Sequence, residues 1–151
     1  MSDELAELLD AAIYKEIASQ AFYIGAQRKT QDAGAITLMQ ELAVEELRHS
    51  EWLKRLKEKG WKKHDWHPEK VPNLMISEYL TSVDTLESAG LQDTLVAAMQ
   101  REQRSVEFYS RMMSVLKKKS AKSLTQKLVN EELKHKLKLE IFYDDLFYGE
   151  N

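Results

Sequence analysis

The stretch Glu45-Glu46-Leu47-Arg48-His49 returns 86 residues later as Glu131-Glu132-Leu133-Lys134-His135. In the same register Glu16 falls on Glu102, Phe22-Tyr23 on Phe108-Tyr109, Ala11-Ala12 on Ala97-Ala98, and Ser19 on Ser105. Leu38, Leu42 and Leu53 fall on Leu124, Leu128 and Leu139, and no gap is needed anywhere. A fixed offset that long marks a repeated supersecondary unit. Leucine matches alone would be weak, because helical packing favours Leu everywhere. The matched Glu and His residues carry the inference. A Glu and a His three apart share one helix face, about 60° round and about 4.5 Å along the axis.

Working outward, apolar residues at helical spacing predict four long helices, at about 3–28, 32–59, 91–118 and 121–147. Leu5, Leu8, Leu9, Ala12, Ile13, Ile17, Phe22 and Tyr23 form the stripe of the first. Ser2 or Asp3 is its expected N-cap, and Gly60 suits the end of the second. The links near residue 31 and residue 119 are short, so each helix pair is an antiparallel hairpin. The fold class expected is therefore all-α, a four-helix bundle. Its hairpins cover about 3–59 and 91–147, joined by a long crossover over about 60–90 within a single domain, 1–151. The crossover holds Pro68, Pro72, Trp61, Trp66, His64 and His67, with a short helix expected over 73–81. His64 and His67 read as polar loop residues.

Composition narrows the chemistry. The 151 residues carry a formal charge of −3, which speaks against a nucleic-acid-binding face. Lys117, Lys118, Lys119 and Lys122 read as a solvated helix end. No apolar run approaches the ~20 residues that span a bilayer, and no secretory h-region opens the chain, so a cytoplasmic protein is expected. Cysteine is absent, which removes disulfides, thiolate nucleophiles and Cys-held iron centres.

Each hairpin puts one lone Glu and one Glu-x-x-His pair on an apolar stripe. Four carboxylates turned into a core of low dielectric repel one another unless cations neutralise them. Two divalent metals meet that need. Glu16 and Glu102 are the candidate terminal ligands, Glu46 and Glu132 the bridging ones, and His49 and His135 each supply one ring nitrogen. This pattern is the handing of two metals between four helices known for di-iron and di-manganese carboxylate bundles. An oxygen-rich set with two imidazoles suits iron or manganese better than zinc.

On these residues (Glu16 with Phe22-Tyr23, Glu46 to His49, Glu102 with Phe108-Tyr109, and Glu132 to His135) the chain resembles the rubrerythrin branch of the ferritin-like superfamily. The resemblance covers nearly the whole chain. It implies a ferritin-like bundle with two iron ions, manganese or a mixed pair being the alternatives. It also implies peroxide or O2 as substrate, an external electron donor such as a rubredoxin-like protein, a homodimer, and a place in oxidative-stress defence. Rubrerythrins commonly add a rubredoxin domain with four cysteines, and these 151 residues hold none, so a stand-alone di-iron domain is expected. Rubrerythrins usually carry a further Glu one turn after the third-helix ligand, for a redox-linked exchange of ligands. Here that position is Ser105, and Glu107 lies about 140° away round the helix.

The surrounding residues have two readings each. Tyr23 and Tyr109 are core aromatics with a polar tip, or phenols hydrogen-bonded to a ligand carboxylate, as the resemblance implies. Glu45 and Glu131 are solvated helix-face residues, or acceptors for the second ring N–H of a histidine. Trp52 is expected at an interface or beneath the crossover. Three other functions share the same ligands: a ferroxidase or iron-handling protein, a di-manganese catalase-like enzyme, and a non-enzymatic metal-binding module.

Overall fold

A computed structural model describes residues 3–59, 65 and 90–149. Four helices account for nearly all of them: α1 (Asp3–Gln27), α2 (Ala33–Glu58), α3 (Leu91–Val115) and α4 (Lys119–Tyr148). The bounds match the apolar periodicity to within two or three residues. α1 packs along α2, and α3 along α4, as two antiparallel pairs. Asp32 opens α2 by accepting the Ala35 N–H at 2.8 Å, and its own N–H donates to Thr30 Oγ1. That is how an Asp satisfies an orphan donor at a helix start. Ser2, Gly60, the 73–81 helix, both prolines, His64, His67, Trp61 and Trp66 lie outside the described residues.

The core divides into two apolar clusters, and their membership gives the topology. One joins Leu5, Leu8, Leu9 and Ala12 to Leu53 and Leu56, to Phe108 through Leu116, and to Ala121, Leu128 and Val129. It gathers the start of α1, the end of α2, the end of α3 and the start of α4. The other joins Tyr23 and Ala26 to Leu38, Met39, Leu42, Ala43, Leu95, Ala98 and Leu139, at the opposite ends of the same helices. So α3 runs antiparallel to α1, and it begins at the end of the bundle opposite to where α2 stops. This is the ferritin-like order, which needs a long crossover between the hairpins. The Asp65 carbonyl accepts the N–H groups of Lys117 and Lys118, tying that residue to the α3–α4 turn. Lys117, Lys118, Lys119 and Lys122 are exposed at that turn, as their charge leads one to expect.

One stripe residue departs from the expectation. Ile17 is 45% exposed, whereas Lys15 is fully buried. The inward face of α1 runs Leu5, Leu8, Ala12, Lys15, Ser19, Tyr23, at steps of three and four. Ile17 is turned about 160° from both Lys15 and Ser19, by the 100° turn per residue. No helix among the described residues is long and apolar enough to cross a membrane.

Candidate metal centre

Between the two apolar clusters, at the middle of the bundle, all four helices contribute charged side chains. α1 brings Glu16, α2 Glu46 and His49, α3 Glu102, and α4 Glu132 and His135. Each is at most 1% exposed. They fall into two overlapping groups. In the first, ligand atoms of Glu16, Glu46, His49 and Glu132 lie within 4.8 Å of one another; in the second, those of Glu46, Glu102, Glu132 and His135 do. Glu46 and Glu132 belong to both, as carboxylates shared between two cations would.

Both histidines turn Nδ1 toward the carboxylates. His49 Nδ1 lies 3.1 Å from Glu132 Oε1, 3.7 Å from Glu16 Oε2 and 3.8 Å from Glu46 Oε1. His135 Nδ1 lies 3.0 Å from Glu46 Oε1, 3.5 Å from Glu102 Oε1 and 3.6 Å from Glu132 Oε1. The rings stack on each other, 5.6 Å apart. Donors held about 2.1 Å from one cation stand roughly 3 Å or more apart, so these separations suit metal ligation.

The donor set passes a second test. Glu16 Oε2, both oxygens of Glu46, Glu102 Oε2, Glu132 Oε1 and Nδ1 of both histidines are buried without a hydrogen bond among the described residues. Such orphans cost about 1–3 kcal/mol each when nothing satisfies them, more for charged groups. All six candidates contribute at least one, and all these atoms belong to one small volume. Residue types, burial and spacing together fit a pair of divalent cations.

Neighbouring side chains hold the donors across the hairpins. The Tyr23 phenol on α1 donates to Glu102 Oε1 on α3 at 2.5 Å, and the Tyr109 phenol on α3 donates to Glu16 Oε1 on α1. Each tyrosine thus serves the glutamate of the other half. Burial and the adjacent carboxylates push both phenols well above their ordinary pKa, so they remain donors. His135 Nε2 meets the Glu45 carboxylate of α2, and that contact holds Glu45 below the usual carboxylate range. Glu131 groups with His49 and His135 within 4.8 Å, but His49 Nε2 makes no hydrogen bond among the described residues. His49 instead lies against Trp52, ring centres 5.2 Å apart, and Lys127 covers the indole at 4.3 Å.

Lys15 went unnoticed in the sequence. Its Nζ pairs with Glu16 Oε1 at 2.8 Å and with Glu132 Oε2 at 2.9 Å, with no exposure on any of the three side chains. A signal was available: in the 86-residue register Lys15 falls on Arg101, also buried, each one residue before the lone Glu. The two differ in what they reach. Arg101 Nη2 donates to Ser19 Oγ at 3.1 Å, with its guanidinium 5.1 Å over the Phe22 ring.

The protein's own charges leave the carboxylates unlike one another. Burial raises all four. At Glu16 the Lys15 ammonium and interactions with Glu46 and His49 together overcome burial and bring the pKa to about 2, and Lys15 with the two histidines holds Glu132 well below the ordinary value. Burial and the Glu132 charge prevail at Glu102, which rises to about 7, and at Glu46, which rises well above normal. His49 is opposed by burial but lifted by Glu132 and Glu16 to about 9. Ser105 donates to the Arg101 carbonyl of its own helix at 2.9 Å, and Glu107 is exposed and bound by Gln103. Neither residue enters the clusters.

A four-helix bundle with two Glu/His clusters sharing carboxylates defines the ferritin-like di-metal carboxylate class. Within it, the rubrerythrin family model matches residues 7–143, and the chain belongs to that family. No curated protein matches the chain.

Proposed function

We propose that the chain is a non-haem di-iron oxidoreductase that reduces peroxide or O2 with electrons from an external donor protein. The observation that carries this is the pair of clusters sharing Glu46 and Glu132, with an orphaned buried donor on every member. Glu16 and His49 complete one metal position, Glu102 and His135 the other. Iron, when bound, supplies the one-electron steps that no side chain here supplies. Reducing H2O2 to two waters takes two electrons, delivered one at a time by the donor, and two protons.

The chain's part is placement. Tyr23 and Tyr109 fix one oxygen of Glu102 and of Glu16, which leaves the other oxygen to face the cluster. Glu45, at Nε2 of His135, favours the tautomer with the proton on that nitrogen and the Nδ1 lone pair inward. The apolar clusters on either side limit water at the centre. Ser105, bonded to its own helix, brings no carboxylate to the position where a further Glu would allow an exchange of ligands. Exposed Tyr14, Ile17 and Ile24 share one face of α1, which supports a homodimer.

Protein purified without added metal, analysed for metal content and then reduced anaerobically and mixed with peroxide, tests the reading. Two irons per chain and rapid loss of peroxide are expected. Two manganese ions with peroxide disproportionation point to the catalase-like alternative, and Fe(II) oxidation without donor-dependent turnover to the ferroxidase. A folded protein that takes up no metal, or iron-loaded protein inert to peroxide, overturns the proposal.

A further inference from the structure

The two clusters would be equivalent if the repeat were perfect, and Lys15 is one place where it is not. Its ammonium is fully buried and bound to one oxygen each of Glu16 and Glu132, 4.6 Å from the centre of the Tyr109 ring. The other oxygens of that pair, Glu16 Oε2 and Glu132 Oε1, face His49 Nδ1 and carry no hydrogen bond among the described residues. A cation held by those atoms therefore shares two carboxylates with an ammonium. Glu102 differs: Oε1 takes a neutral phenol, and Oε2 takes no hydrogen bond.

We infer that Lys15 makes the two metal positions unequal. Resting on the dinuclear reading above, the position framed by Glu46, Glu102, Glu132 and His135 fills first and tightly. The position framed by Glu16, Glu46, His49 and Glu132 fills second and weakly. The placement of the ammonium supports this order. The Lys15 ammonium is bonded to two of the carboxylates that would hold the second cation, so the two positive charges would lie close together. Like charges close together in a medium of low dielectric repel far more strongly than in water. Glu132 serves both positions, but Glu16 serves only one, so the repulsion bears most on that one. Lys15 is thus a positioning residue that sets the order of loading.

Anaerobic calorimetric titration of Fe(II) into metal-free protein tests this. Wild type is expected to show two steps whose affinities differ by at least about tenfold. Lys15→Met, which keeps the length and removes the charge, tightens the second step about tenfold and leaves the first within a few-fold. Lys15→Gln, which keeps a polar end, does the same and serves if the Met variant does not fold. His49→Ala abolishes the weak step and spares the tight one. Two equal steps in wild type, an unchanged ratio in the folded neutral variants, or loss of the tight step in His49→Ala overturns the inference. Failure of every protein to bind iron would instead remove the dinuclear reading itself.

Discussion

The two hairpins bring the same three donors on the same turns, yet they surround them differently. In the second hairpin, His135 is braced from α2 by Glu45. In the first, His49 has no hydrogen bond at Nε2 among the described residues and leans on Trp52. The basic residue before the lone Glu enters the cluster from α1, as Lys15, but from α3 it turns to Ser19 and Phe22, as Arg101. The repeat thus preserves what a metal would touch and lets its supports diverge. Functional asymmetry in this bundle has to come from those supports.

The largest effect should come from removing what the halves share. Glu46→Ala or Glu132→Ala takes a proposed ligand from both positions, and metal analysis should find the pair lost, with at most one ion left. Retention of two ions would break the assignment of shared carboxylates. Next comes the bracing of the histidines. Glu45→Gln should weaken metal binding about 10–100-fold, the usual cost of losing such an outer partner. Glu131→Gln should change it much less. Equal losses by titration would mean that the halves are supported alike after all.

Tyr23→Phe and Tyr109→Phe each take a donor from a buried carboxylate. Each should cost about 1–3 kcal/mol of stability in metal-free protein, read by denaturant unfolding. Tyr109→Phe should cost less, because Lys15 still satisfies the same Glu16 oxygen.

A smaller, graded effect is expected from pH. Glu102, raised to about 7, is mostly neutral below that pH and has to lose its proton to bind a cation. Metal affinity should therefore fall as pH drops through about 7, with proton release on binding measurable by calorimetry. A flat profile between pH 6 and 8 would contradict the elevated value. The smallest effect belongs to the surface. Lys57→Ala breaks an exposed pair with Asp10 and should cost under about 1 kcal/mol.

The helices, their pairing and the meeting of Glu16, Glu46, His49, Glu102, Glu132 and His135 were legible because periodicity and repeat register are properties of the chain alone. What depends on docking was not. Nothing in the order of residues says that Tyr23 will reach Glu102 rather than Glu16, or that Glu45 will meet His135 rather than His49. Those choices are made when one hairpin lies antiparallel on the other. Lys15 was hidden for a different reason. A lysine on a helix usually sends its ammonium to water along an apolar stem. Its place in the run Leu8, Ala12, Lys15, Ser19, Tyr23 was the clue that it does not.

The exchanged tyrosine bonds have a consequence for assembly. Each half closes its glutamate with a phenol from the other, so neither hairpin is chemically complete alone. A hairpin docked on a second copy of itself would offer the same exchange, glutamate for glutamate and phenol for phenol. What the covalent link adds is effective concentration: the second half is always present, in equal number, at the first half's side. Linking the copies also freed them to differ, and an ammonium in one half with no counterpart at the same spot in the other is a difference that only a joined pair can keep.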